Sequence, residues 1–255
     1  MKPARRALRR IGDRLPRSLS HVASTVIADD ARGRARRRRV VAGTTAVGAG
    51  LLGTALSARP GSPRFYRLSW ATAGAWTVGG VLSGPLRRGW IEHRDDRLRR
   101  PVLVPVATGG AAFGAFYGFA LAAQRIPVLR RAIAHVLRHA DSTGDARLLT
   151  MVCANAVAEE VFFRGAVYPS VAEHHPVAAS TALYTLATVP TRNPALIAAA
   201  GFMGALFALQ RRASGGVQAP ALTHLTWSIL MVRFMPPLFR DDPPATPTSA
   251  ERSGR

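Results

Sequence analysis

The chain is poor in sulfur, in lysine and in acid. Its 255 residues include one cysteine, Cys153, one lysine, Lys2, and 14 Asp+Glu against 35 Lys+Arg, for a formal net charge of +21. A single cysteine rules out an internal disulfide framework and a thiolate metal cluster, so Cys153, inside an apolar block, reads as a packing residue. The sequence has no glycine-rich phosphate loop, no HExxH, no GxSxG and no internal repeat. Phosphate-loop nucleotide chemistry, zincin-type hydrolysis and the nucleophile elbow of the α/β-hydrolases therefore have no footing here. The N-terminus lacks the short apolar core and cleavage site of a signal peptide, and its arginine-rich, acid-poor start also suits a transit peptide.

Charge is absent in a second sense: long stretches carry none. Hydrophobic residues make up 48% of the chain, yet mean hydropathy is only +0.08. The apolar residues sit in uncharged blocks with arginines between them, the pattern of a membrane protein rather than of a soluble one. Residues 40–58 and 68–86 are such blocks, each long enough to cross about 30 Å of hydrocarbon at about 1.5 Å per residue. A third, residues 101–124, carries Gly110, Gly114 and Gly118 at four-residue intervals. That spacing predicts a small-residue face on which another helix packs closely.

Residues 125–140 differ. Ile126, Val128, Leu129, Ile133, Val136 and Leu137 alternate with Arg130, Arg131, His135, Arg138 and His139. This predicts an amphipathic helix lying at the membrane interface. Four further apolar blocks follow at 148–172, 176–191, 195–210 and 213–232, joined by a few residues each. Short connections make antiparallel neighbours, so these four form a compact bundle. The expected fold is all-α, a multi-spanning transmembrane bundle of seven or eight helices. Its parts are a basic cytoplasmic segment 1–39, N-terminal spans with the amphipathic helix at 40–140, a core at 141–239 and a disordered tail at 240–255. Within 1–39, Leu8, Ile11, Leu15 and Leu19 suit either a surface helix or a disordered basic tail.

Arginine sets the orientation. The positive-inside rule makes the first 39 residues cytoplasmic, and the basic loop 87–100 and the Arg211-Arg212 connection fall on the same side. Residues 125–140 then fall outside despite their arginines. The location expected is the cell membrane, with lipid as the partner of the basic segments. Nucleic acid is the weaker alternative, because the arginines flank apolar blocks.

Ionisable residues inside a membrane helix cost roughly 2.5–3.5 kcal/mol each on insertion, so they survive where they line a polar site or serve chemistry. Glu159, Glu160 and Arg164 are the instance here. Glu160 and Arg164 are one turn apart and can pair. Glu159 is rotated by about 100° and has only Asn155 near it on its own helix. An unpaired carboxylate is free to take a proton from water, the task of a general base. A buried polar knot that fixes helix register uses the same residues. His224 is the second polar residue isolated in an apolar block. A glutamate and a histidine on different helices can hold one water, directly or through a metal.

The stretch Glu159-Glu160-Val161-Phe162-Phe163-Arg164-Gly165 resembles the EExxxR motif of the CPBP family. These are membrane-embedded proteases that include the CAAX prenyl proteases and the bacterial abortive-infection (Abi) proteins. The resemblance covers roughly residues 148–232. The family's FxxxH motif corresponds to Tyr184 and Thr188, and its HxxxN motif to His224 and Ser228. The resemblance implies that Glu159 activates the attacking water, that Glu160 and Arg164 organise the site, and that His224 helps bind the water. Ser228, in place of asparagine, retains one donor for an oxyanion. Thr188 departs from the family, because a hydroxyl replaces imidazole neither as base nor as zinc ligand. His174 and His175 stand nearby, with no spacing that links them to the site. The implied activity is hydrolysis of a peptide bond in a peptide or protein substrate, lipid-modified or not. A divalent metal such as zinc is left open by the sequence. The alternative is a catalytically degenerate member that binds or scaffolds a membrane partner. Either way, a polar cavity at membrane depth with Glu159 and His224 facing it is expected.

Overall fold

The structure is a computed structural model and describes residues 17–23, 31–92, 98–140, 146–173 and 175–239. The fold is all-α, with one two-residue exception: β1 (Ile91–Glu92) pairs antiparallel with β2 (Leu98–Arg99), Ile91 opposite Arg99. The longer helices are α1 (Ala31–Leu56), α2 (Pro63–Leu82), α3 (Leu103–Ala123), α4 (Pro127–Leu137), α5 (Ala146–Phe162), α6 (Pro176–Thr188), α7 (Pro194–Ser214) and α8 (Gln218–Phe234). The expectations for 1–16 and 240–255 lie outside the described residues.

Local chemistry sets the starts and stops. Ser62 Oγ accepts from Phe65 N at 3.2 Å ahead of Pro63, and Asn193 Oδ1 accepts from Leu196 N at 3.0 Å ahead of Pro194. Both are side-chain N-caps followed by a proline whose missing N–H costs nothing in the first turn. Gly215 ends α7 at φ 69°, the left-handed stop that glycine takes without strain. Along the helices, Thr45, Thr54, Thr72, Thr108 and Thr150 return their hydroxyls to the carbonyl four residues back. Such bonds satisfy hydroxyls where no water is at hand.

Contacts between connections define two ends of the bundle. At one, Arg36 reaches Leu82 O at 3.2 Å, Arg212 reaches Leu19 O at 3.0 Å, and Val217 N donates to Arg87 O at 2.9 Å. At the other, His139 Nε2 meets Ala58 O at 3.2 Å, Asn193 donates to Ala132 O at 2.9 Å, and Gln124 to Leu238 O at 2.6 Å. The basic helix α4 belongs to this second end, opposite Arg32–Arg39. It follows from chain length: α3, with 21 residues, covers about 30 Å and separates the two ends.

Packing runs in a ring. Helix α1 lies on α2, α2 on α5, α5 on α8, α8 on α7, α7 on α6 and α6 on α1, with α3 outside the ring against α8. Trp76 is the anchor between halves, fully buried, stacked on Phe162 at 4.8 Å and tilted against Phe163 at 5.1 Å. Among the described residues three helices, α1, α3 and α7, are long and apolar enough to cross a membrane. With 13 residues, α6 rises only about 20 Å.

Two sequence expectations are corrected. Gly110, Gly114 and Gly118 face open space; α3 packs instead through Gly109, against Thr223 and Thr226 of α8. Period alone identifies a face and not what covers it. Arg211, expected in a connection, lies inside α7 and is 3% exposed. The helix continues to Gly215 because nothing before it breaks the turn.

Candidate active site

Helix α5 carries the motif and then changes pitch. Residues Phe163–Val167 form a π-turn, followed by one α-turn, Tyr168–Ser170. The π-turn packs against α1, α2, α6 and α7, at the middle of the ring. Widening frees carbonyls from the i→i+4 ladder, and neighbours take them up: Ser180 of α6 donates to Phe163 O at 3.3 Å, and Arg211 of α7 donates Nε to Arg164 O at 2.9 Å.

The carboxylate pair divides. Glu160 and Arg164 are fully buried. Glu160 Oε1 accepts from Arg164 Nη1 at 3.1 Å and lies 2.9 Å from His224 Nδ1. A carboxylate paired with a guanidinium accepts only, so Nδ1 carries the proton and Nε2 is the nitrogen left for other partners. Arg164 also donates Nη2 to Gly204 O at 3.0 Å. Its guanidinium lies 4.7 Å from the Tyr184 ring and 5.0 Å from the Phe207 ring. Phe207 in turn stacks on His224 at 4.6 Å. Gly204 must be glycine, since a Cβ there would sit 2.9 Å from Tyr184 Cδ1. Glu160 Oε2 and Arg164 Nε, both buried, have no hydrogen-bond partner among the described residues.

Glu159 is only partly buried and takes a different partner. Tyr184 donates its hydroxyl to Glu159 Oε2 at 2.6 Å. Asn155 turns away, donating to Ser69 O at 3.2 Å and Met151 O at 2.9 Å. The two are anchored differently: His224 is tied to Glu160, and Glu159 to a phenol. Thr188 hydrogen-bonds inside its own helix, to Thr185 O at 2.7 Å. Ser228 lies one turn beyond His224 and is buried. Among the described residues neither hydroxyl bonds to Glu159, Glu160 or His224. His175 is exposed at the left-handed start of α6, away from the cluster, and His174 lies outside the described residues. A cavity of about 670 Å³ is found not here but at the end of the bundle that holds α4.

Glu160 Oε1 is engaged by both His224 Nδ1 and Arg164 Nη1. Among the described residues no three His, Cys, Asp or Glu side chains gather as a metal site, and a structural or catalytic zinc needs at least three protein ligands.

Sequence reasoning missed Tyr184, Arg211, Gly204 and Phe207 as parts of this cluster. Tyr184 alone carried a signal, a hydroxyl where the family has phenylalanine.

A helical bundle with apolar, membrane-length helices and an acid–guanidinium–imidazole cluster at its centre is an integral membrane protein built around a polar site. Residues 145–230 match the family model described as type II CAAX prenyl endopeptidase Rce1-like. That match supports the resemblance of this region to the CPBP/CAAX protease family and, at family level, a membrane-peptidase reading of it. No curated protein and no solved structure matches the chain.

Proposed function

We propose that the chain is a multi-pass peptidase of the cell membrane that hydrolyses a peptide bond with water activated by Glu159. The carrying observation is the division within the pair. Glu160 is held by Arg164 and His224, while Glu159 has a single neutral donor, Tyr184. A carboxylate oriented by one phenol and not neutralised by a cation keeps its capacity to accept a proton.

In this reading Glu159 removes a proton from water as the water oxygen attacks the scissile carbonyl carbon. The C–N bond then breaks, and the same proton passes to the leaving amine. His224, its Nδ1–H fixed by Glu160, offers Nε2 to the water. Ser228 donates to the oxyanion. No step is routed through a metal. Residues 141–239 form the peptidase core and 40–140 its membrane support, with the arginine-rich N-terminal end in the cytoplasm. The substrate is a peptide or protein segment at the membrane, lipid-modified or not.

The test is peptide cleavage by the purified protein and by Glu159→Gln. Loss of a general base lowers turnover by about 10²–10⁴-fold, with the fold kept. Equal cleavage by both proteins, or none by either, ends the proposal. A second reading, a non-catalytic member that binds a membrane partner, is favoured by Thr188, whose hydroxyl is spent on Thr185 O where the family has histidine. Cleavage that appears only in Thr188→His decides for that second reading.

A further inference from the structure

The cavity of about 670 Å³ lies where three connections converge: the α1–α2 turn, the 3-10 turn after α4, and the turn between α6 and α7. Its lining includes Arg59, Arg138, Arg192, His135, His139 and Thr191 and, among the described residues, no carboxylate. Among the described residues none of the three arginines has an ion pair. Three exposed guanidinium-bearing residues from three separate connections border one space, and an anion there would offset their mutual repulsion.

Two further observations describe the wall of the cavity. Arg192 holds φ 54°, a left-handed conformation that is strained for a residue with a long side chain. His139 is 9% exposed, and its Nε2–H donates to Ala58 O at 3.2 Å. Burial, joined by repulsion from His135 and Arg138, keeps His139 below the usual histidine range despite its backbone hydrogen bonds.

The location narrows the anion. Helix α4 borders the cavity, and Val128 in its first turn and Ile126 just before it are exposed, as on a helix lying in the lipid interface. We propose that this cavity binds a phosphate group, that of an anionic phospholipid headgroup, clamped by Arg59, Arg138 and Arg192. Guanidinium forks match phosphate oxygens in geometry as well as charge. The site is separate from the Glu159 cluster, and its occupancy does not depend on catalysis.

The experiment uses the full-length protein in neutral detergent, with native mass spectrometry to count retained lipid. The probes are phosphatidylglycerol, phosphatidylcholine and, separately, inorganic phosphate followed by thermal unfolding. Wild type is expected to retain phosphatidylglycerol over phosphatidylcholine. Changing Arg59, Arg138 and Arg192 together to Gln is expected to weaken that binding about a hundredfold, at about fivefold per arginine. The double variant Arg59→Gln/Arg138→Gln leaves the strained position 192 untouched and loses about 25-fold on the same reckoning. All three side chains are exposed, so circular dichroism should be unchanged. Inorganic phosphate that displaces the lipid and stabilises wild type but not the triple variant would assign the same site to a soluble phosphate. Phosphatidylglycerol retained equally by wild type and triple variant overturns the proposal. So does an equal loss in a charge-matched control at the opposite end, Arg32, Arg36 and Arg39 to Gln.

Discussion

The α1–α2 hairpin and the α5–α8 helices share one bundle and are held by opposite means. Between α1 and α2 the closest approaches are glycine against side chain. A Cβ on Gly48 would overlap the Trp76 indole, and one on Gly79 would overlap Thr44. Between α5, α7 and α8 the contacts are ionic and aromatic: Glu160, Arg164 and His224, with Gly204 O and Arg211 completing the set. Lipid gives little hydrophobic drive for helices to associate, so close packing and polar bonds must do it. The first device needs small residues and offers no chemistry. The second buries charge at a cost that only full pairing offsets, and it leaves titratable groups at the centre of the fold.

Arg164→Ala attacks this contrast most directly. It leaves Glu160 buried without its cation and should cost about 3–5 kcal/mol of unfolding stability in detergent. The double change Glu160→Gln/Arg164→Met should lose less than Arg164→Ala alone, because no net charge remains buried. Single and double variants of equal stability would show that the ionic half is held by something else. Gly48→Val strikes the other half, and overpacking against Trp76 should cost about 1–3 kcal/mol, seen as a lowered Tm. Tyr184→Phe removes one hydrogen bond at the seam and should cost about 1 kcal/mol, while changing the pH profile of any cleavage more than the Tm. Gly114→Val, on the open face of α3, should stay within about 0.5 kcal/mol of wild type. A large loss there would mean that the stripe packs against something after all.

The same contrast explains what could be read from the sequence. Within one helix, spacing decides who meets whom, so the Glu160–Arg164 pair was legible from its four-residue separation. So were the apolar blocks and the amphipathic character of α4. Between helices, spacing says nothing. His224 reaches Glu160 across 64 positions, and Tyr184 reaches Glu159 across 25. Arg211 looked like a surface charge because it adjoins Arg212 and a short connection; the π-turn, which offers it the Arg164 carbonyl, and the Tyr168 ring, 5.2 Å from its guanidinium, give it a reason to be buried. The glycines of α3 show the converse, a motif present in sequence whose partner is not in this bundle.

One side of helix α7 converges on a single residue of the π-turn that follows α5, Arg164. Gly204 accepts from Arg164, Phe207 lies under its guanidinium, and Arg211 holds its carbonyl. These positions recur at intervals of three and four, so a saturation-mutagenesis map of α7 should carry a helical period. Intolerance should peak at 204, 207 and 211 and fall at Phe202, which is exposed. Such a map would record the position of Arg164 from a helix 40 residues away in sequence, even in a screen that scored nothing but survival of the fold.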